Sequence, residues 1–257
     1  MTTTPEEDEV AGPSEDRSKM SFLEHLDELR RRLIYSLWAL LAGFLASLFF
    51  VNWLYLHMLK YLSDCIHSPL IATEITEAFM FEFKLGAFAG MLLVSPFLFA
   101  QIWLFVAPGL YQREKRVVIP FVASATLLFS GGVWFNHRMA FPAMLNFFST
   151  FNNDYLKVMP QISVAWSMYI KMALGMGAIF EMPMLVFFLA RFGIITWRFL
   201  ARQWRWAILI IFIVAAVITP SPDYFTQCIF ALPMILLYGL SIGVAWMFGK
   251  DRKPARV

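Results

Sequence analysis

Long apolar runs alternate with short polar connections along most of this 257-residue sequence. A helix needs about 20 apolar residues to cross a hydrocarbon core about 30 Å thick. Six runs approach or exceed that length, so the pattern predicts an all-α integral membrane protein with six transmembrane helices. They cover roughly residues 33–53, 85–106, 117–137, 168–192, 204–219 and 224–248.

The fifth run is the shortest of the six. Only thirteen residues, 206–218, precede the proline-rich sequence TPSP at 219–222, which corresponds to about 20 Å of helix. A bilayer accommodates such a short helix by thinning locally around it.

A polar, amphipathic stretch precedes the first run. Ser21 and Glu24 form a capping-box pattern, and the next apolar residues recur at helical spacing. We therefore expect an N-terminal interfacial amphipathic helix that leads into the first span. Three parts of the chain follow from this prediction: a polar, disordered tail (1–20), a transmembrane domain (21–248) and a basic tail (249–257).

Two connections are longer than the others, at residues 54–83 and 138–167. Both are rich in aromatic residues, proline and asparagine. We expect them to form short helices that cap the outer face of the protein.

Basic residues predict the orientation of the spans. Sixteen of the 21 Lys and Arg residues lie before the first span, in the second-to-third and fourth-to-fifth connections, or after the sixth span. Because basic residues accumulate on the cytoplasmic side, both termini are expected to be cytoplasmic, as an even number of spans requires. We interpret Arg31 and Arg32, next to the first span, as part of this topology signal.

Composition excludes several classes of protein. The chain is 60% apolar and 15% charged, with a net charge of +3, whereas soluble domains are about 45–50% apolar and about 25% charged. A cytosolic enzyme, a disordered chain and a nucleic-acid-binding module are therefore all disfavoured. The two cysteines, Cys65 and Cys228, are expected to be free thiols, with a structural disulfide as the alternative.

Motifs for catalysis are absent from the sequence. It contains no phosphate-binding loop, no H-E-x-x-H zinc motif, no G-x-S-x-G elbow and no C-x-x-C pair, and its four histidines are scattered. We therefore predict no catalytic residue, no metal site and no cofactor.

A few polar residues lie inside a predicted span or directly after one, where their position suggests a role. Glu181 falls near the middle of the fourth span, where a carboxylate costs at least about 2.5 kcal/mol. It is interpreted as a contact for a proton, a substrate or another helix, with a hydrogen-bonded structural carboxyl as the alternative. Asp223 and Gln227 follow the fifth span at helical spacing, and Asp223 is equally well interpreted as a helix cap.

Two acids on the cytoplasmic side form a candidate binding site. Glu28 precedes the first span, and Glu114 lies in the short second-to-third connection. Each carboxylate can form charge-assisted, bidentate pairs with a guanidinium group, so together they are able to receive an arginine-rich peptide. Taken alone, without Glu28, Glu114 is interpreted as an ordinary solvated charge. Aromatic residues beside the acids could pack the apolar part of such a peptide: Trp103, Phe105 and Tyr111.

With these residues identified, the chain resembles the TatC family, the multispanning subunit of the twin-arginine protein translocase. The resemblance extends from about residue 21 to residue 248. It depends mainly on FLEHLDELR at 22–30, on SP at 95–96 with QIWLFVAPGLY at 101–111, and on TPSPD at 219–223 with Gln227. Shorter matches support it: PL at 69–70, TEAF at 76–79, KL at 84–85 and FEMP at 180–183.

The resemblance implies a receptor in the inner membrane that binds twin-arginine signal peptides of folded proteins and uses the proton-motive force. It implies a signal-peptide site formed by Glu28, Phe105 and Glu114. It also implies that Glu181 contacts a partner helix within the membrane, and that Pro69, Asp223 and Gln227 belong to an outer-side assembly region. The implied partners are TatA- and TatB-type single-span subunits, signal peptides, other copies of the chain and membrane lipid, but no nucleic acid.

Two alternatives from other functional classes remain at this point. A secondary transporter of small solutes would use Glu181 to couple protons, and it predicts paired inverted repeats. The motifs of the first three spans do not recur in the last three. A structural scaffold predicts that neutralising Glu114 has no effect.

Overall fold

A computed structural model describes residues 14–66, 70–106, 115–153, 155, 159–219 and 223–249. These residues form an all-helical fold. No β-strand occurs in this part of the chain, and one isolated parallel bridge joins Ile71 to Gln161. The all-α prediction is confirmed for the described residues.

The helices follow one another along the chain with short turns between many of them. A π-helical turn, Asn136–Ala140, joins α4 to α5. The helices are α1 (Ser14–Ser47), α2 (Val51–Ile66), α3 (Glu77–Val106), α4 (Lys115–Phe135), α5 (Phe141–Ser149), α6 (Ile162–Phe180), α7 (Met182–Arg191), α8 (Trp197–Arg202), α9 (Trp204–Ile218) and α10 (Tyr224–Phe248).

Four helical segments are long and apolar enough to cross a membrane: Glu77–Phe105, Ile119–Ser149, Ile162–Arg191 and Tyr224–Phe248. A fifth is obtained if α1 and α2, which meet at an angle of 79°, are counted together as one broken span. The remaining segment, α9, has 15 residues, and is as short as its sequence predicts.

The N-terminal helix differs from its prediction. The interfacial helix that we expected to lead into the first span is continuous with it, because α1 is one helix of 34 residues. It begins at Ser14, ahead of the capping box, and so includes residues 14–20, which we expected in the polar tail. Its C-terminal end is at Ser47, before the predicted boundary at 53, because the chain turns at residues 48–50 and continues as α2.

Two short helices lie in the connections where we expected them. The first is α2, and the second is α5, which follows the π-helical turn. Both contribute buried side chains to the main apolar core, which they share with α3, α6 and α10. Trp166 of α6 lies at the centre of this core, with its ring fully buried and nearly perpendicular to those of Phe81 and Phe88.

Close helix crossings depend on glycine. A Cβ atom on Gly43 of α1 would lie 2.6 Å from the carbonyl oxygen of Gly90 on α3. Next to this crossing, the hydroxyl of Ser47 donates a 2.7 Å hydrogen bond to the carbonyl oxygen of Gly86. Small residues let helix backbones approach in this way where lipid offers no hydrophobic drive for association. The antiparallel α1–α3 pair therefore brings the start of α1 beside the end of α3.

Candidate functional site

The start of α1 and the end of α3 meet through an aromatic contact. The ring of His25 stacks on that of Phe105, with centroids 4.5 Å apart and an interplanar angle of 14°. Phe105 is half-buried, and His25 is exposed. The contact therefore fixes one of the predicted site residues against the helix that carries another, Glu28, less than one turn beyond His25.

Glu28 takes part in an ion pair with a basic residue of its own helix. Arg32, one turn further along α1, donates from Nη2 at 2.8 Å and from Nε at 3.2 Å to Oε1 of Glu28. The same guanidinium donates from Nη1 to Oε1 of Gln101 on α3, at 3.1 Å. Glu28 and Arg32 are both largely shielded from solvent, and Gln101 is buried.

The predicted signal-peptide residues are therefore partly brought together. Glu28 and Phe105 lie at the same end of the α1–α3 pair, connected through His25 and through the Arg32–Gln101 contact. Glu114, the third predicted residue, lies outside the described residues. Sequence reasoning missed Gln101 as a site residue, although it begins the motif that contains Trp103 and Phe105.

Glu181 occupies the break between α6 and α7. It is the C-cap of α6 and the N-cap of α7, and Pro183 follows at the start of α7. Its side chain is half-buried, and its Oε1 atom is fully buried without a hydrogen-bond partner among the described residues. The sequence placed this acid inside one span, and the α6–α7 segment does continue through the break.

A groove of about 610 Å³ lies beside Glu181. Of the described residues that line it, Glu181 alone is ionisable, and the other side chains are apolar or aromatic. They come from α3, α4, α6, α7 and the turn after α7: Phe99, Ile102, Trp103, Phe121, Phe129, Ala178, Met184, Leu185, Phe188, Leu189, Phe192 and Ile194. The arrangement offers an apolar face with a single carboxyl group.

The predicted outer-side residues have clear structural contacts. The carboxylate of Asp223 accepts the backbone N–H of Thr226 at 2.7 Å and so caps α10. Gln227 donates from Nε2 to the backbone carbonyl of Phe212 on α9, at 2.8 Å. The two residues together fix the α9–α10 corner. Pro69, the third member of this group, lies outside the described residues.

Glu77 is a structural anchor whose role the sequence did not reveal. Its buried carboxylate accepts the backbone N–H of Ser163 at 2.7 Å, in the first turn of α6. It also accepts the backbone N–H of Thr73 at 2.7 Å. The sequence does show a polar pair, Thr76 and Glu77, immediately before an apolar run. It could not reveal the hydrogen-bond partner of Glu77, because Ser163 lies 86 residues further along the chain.

The described residues hold no group of three or more His, Cys, Asp or Glu side chains suited to a metal ion. Cys65 and Cys228 are not joined to each other in the structure, where both are free cysteines.

Comparisons with known proteins agree with the resemblance seen in the sequence. The family model for the Sec-independent protein translocase protein (TatC) matches residues 24–233. A Sec-independent protein translocase protein TatC from Koribacter versatilis is 42% identical over 92% of this chain and 89% of its own length. One from Desulforapulum autotrophicum is 37% identical over 93% of this chain and 89% of its own length.

A solved structure gives the same result for the fold. A crystal structure of the twin-arginine translocase receptor TatC superposes with a TM-score of 0.76 at 31% identity, covering 87% of this chain and 99% of that one. These similar proteins are components of a protein translocase. They favour transport over catalysis, and protein export over the small-solute alternative.

Proposed function

The chain belongs to the TatC family of Sec-independent protein translocase proteins, and we propose that it is the receptor subunit that binds twin-arginine signal peptides of folded cargo. The observation that carries this proposal is the junction of α1 and α3, where Glu28 and Phe105 lie at the same end of the helix pair. Glu114 is proposed to complete the site.

The chemistry of these residues suits a signal with two arginines. A carboxylate accepts a guanidinium through two parallel, charge-assisted hydrogen bonds. Two carboxylates, Glu28 and Glu114, are therefore able to receive two neighbouring arginines. Phe105 adds an aromatic surface on which an apolar part of the peptide can pack.

We propose that the chain crosses the inner membrane six times, with both termini in the cytoplasm. In this arrangement α1 forms the first span, α2 bends away from it as an outer cap, and α9 is the fifth span. A helix of 15 residues is about 22 Å long, so we expect the bilayer to thin around α9. The distribution of basic residues supports the orientation.

The groove beside Glu181 is proposed to receive the membrane helix of a TatA- or TatB-type subunit. An apolar groove accepts the apolar face of a single-span helix, and the carboxyl group offers a hydrogen-bond partner to a polar residue on that helix. Pro69, Asp223 and Gln227 are proposed to belong to an assembly region on the outer side, where other copies of the chain contact it. Transport is proposed to draw on the proton-motive force, and no catalytic residue or cofactor is assigned.

Export of a folded reporter protein tests the receptor function. Glu28→Gln and Glu114→Gln should each reduce export of a reporter that carries a twin-arginine signal, while export of a Sec-dependent protein stays normal. Asp27→Asn is the matched control, because Asp27 is an exposed acid next to Glu28 on the same helix. Full export by both Glu variants would contradict the proposed site.

Cross-linking tests the role of Glu181. Glu181→Ala should weaken cross-linking between the groove and a TatA- or TatB-type helix, whereas Glu181→Gln, which keeps a hydrogen-bonding side chain, should retain more of it. Unchanged cross-linking together with full export in the Ala variant would leave Glu181 as a structural carboxyl group.

A further inference from the structure

Arg32 already presents a guanidinium to the carboxylate proposed to receive a signal arginine. Two of its nitrogen atoms donate to Oε1 of Glu28, at 2.8 and 3.2 Å. Both side chains are largely shielded, with 19% of the Arg32 side chain and 23% of the Glu28 side chain exposed. The site in this structure therefore holds an arginine from the chain itself.

The third contact of Arg32 separates this arrangement from a simple pair along one helix. An exposed pair four residues apart stabilises its own helix by only a few tenths of a kcal/mol and has no need of another helix. Here the Nη1 atom also reaches Oε1 of Gln101, a buried amide on α3. Gln101 thus fixes the guanidinium from the side opposite Glu28 and gives it a second acceptor if Glu28 is taken away.

From these contacts we propose that Arg32 is an internal competitor of the signal arginines, which a signal peptide must displace from Glu28 in order to bind. This inference rests on the proposed receptor function. A second guanidinium at the same carboxylate would meet the positive charge of Arg32 at close range, and that repulsion is strong in a partly shielded site. Binding is therefore coupled to movement of Arg32 toward Gln101.

The cost of displacing Arg32 is the same for any cationic ligand, because it depends on the contacts of Arg32 and not on the ligand that replaces it. A signal arginine offsets this cost best, since its planar fork can donate two hydrogen bonds to a carboxylate. A lysine ammonium offers only a single charged point. Arg32 thus sets a threshold of affinity that a twin-arginine signal meets more readily than a twin-lysine peptide.

Peptide binding to the full-length protein in lipid nanodiscs tests this inference. The probes are two fluorescent peptides, one with a twin-arginine signal and one with lysines in both positions. We expect Arg32→Gln to bind both peptides about threefold more tightly, the size that loss of an i,i+4 ion pair allows. Both affinities should rise by the same factor, because the cost of displacing Arg32 is common to the two peptides.

Arg31→Gln is the matched control. Arg31 is exposed and adjacent on α1, so this variant removes the same charge without touching Glu28, and both affinities should stay at the wild-type values. In a Glu28→Gln background, Arg32→Gln should bring no gain, because there is no carboxylate left to compete for. Arg32→Lys keeps the charge and loses the fork, and it should show part of the gain even if Arg32→Gln folds poorly.

The outcomes distinguish the inference from the function on which it rests. If Glu28→Gln weakens twin-arginine binding but neither Arg32 variant binds the peptides more tightly than the wild type, Arg32 does not compete and the inference is wrong. If Glu28→Gln and Glu114→Gln both bind the signal peptide as the wild type does, the proposed receptor site itself is wrong.

Discussion

His25 of α1 lies flat against Phe105 of α3, with ring centroids 4.5 Å apart. The contact joins the beginning of α1 to the end of α3, so the two residues are far apart in the sequence. Phe105 lies in the last turn of α3, and His25 stacks on it from the facing turn of α1. The orientation of Phe105 therefore depends on a residue outside the predicted site.

Replacing His25 tests that dependence. Stacked aromatic pairs contribute about 0.5–1.5 kcal/mol beyond their buried area, so His25→Ala should weaken binding of a twin-arginine peptide about two- to tenfold, whereas His25→Phe should keep most of it. His57→Ala is the matched control, because His57 is also a histidine in contact with an aromatic ring, the tilted ring of Trp53, but on α2. Equal losses in the His25 and His57 variants would contradict a local role for the stack.

Glu77 supports a second prediction, about stability. Its carboxylate connects residues 73 and 74 to the first turn of α6 through backbone hydrogen bonds. Glu77→Gln should lower the thermal midpoint of the protein in detergent, because an amide has one acceptor oxygen where the carboxylate has two, and Glu77→Ala should lower it further. Protease cleavage within residues 70–76 should become faster in the same order.

Glu74→Gln is the control for Glu77. The Glu74 side chain is exposed, three residues away, and its removal leaves the backbone hydrogen bonds in place. A midpoint for Glu77→Ala no lower than that of Glu74→Gln would show that the carboxylate does not hold α6 to this segment.

Sequence reasoning located helix boundaries where the signal is local. The last helix was predicted at 224–248, and α10 has these same bounds, because Asp223 caps its start and Gly249 follows its end. The first span was predicted to reach residue 53, but α1 ends at Ser47. The residues around this turn remain apolar, so hydropathy could not reveal the 79° change of direction.

In the candidate site, too, contacts within one helix could be predicted from the sequence, whereas contacts between helices could not. Glu28 was proposed as a site residue from its sequence motif and from the basic residues around it. Its pairing with Arg32 could be read from the i,i+4 spacing, but the contact with Gln101 depends on the antiparallel packing of α1 on α3, across 69 residues of sequence. That packing depends in turn on Gly43 and Gly90, which no periodicity singles out.

The Gly43–Gly90 crossing gives a third prediction. A Cβ atom on Gly90 would lie 2.6 Å from the backbone of residues 43 and 44, and backbone cannot move aside as a flexible side chain can. Gly90→Ala should therefore separate α1 from α3 and destabilise the protein by about 1–3 kcal/mol. The thermal midpoint in detergent measures this loss, and twin-arginine peptide binding should fall with it, because the site lies across the same helix pair.

Gly239→Ala is the matched control for this crossing. A Cβ atom on Gly239 of α10 meets nothing within 4 Å, so the same substitution should be neutral or stabilising by up to about 1 kcal/mol through better helix propensity. A Gly90→Ala midpoint equal to that of Gly239→Ala would mean that α1 and α3 can separate without cost.

Asp223 gives a fourth prediction, which separates a helix cap from a charged contact with another subunit. Serine caps helices about as well as aspartate, and loss of a cap costs about 0.5–2 kcal/mol. If Asp223 acts by accepting the Thr226 amide, Asp223→Ser should keep both the thermal midpoint and export of a twin-arginine reporter, and Asp223→Ala should lower both. If the carboxylate instead contacts a partner, Asp223→Ser should keep the midpoint and lose export. Measuring both quantities in the two variants distinguishes these roles. A helix cap needs only a hydrogen-bond acceptor, which serine provides, whereas a charged contact with a partner needs the carboxylate.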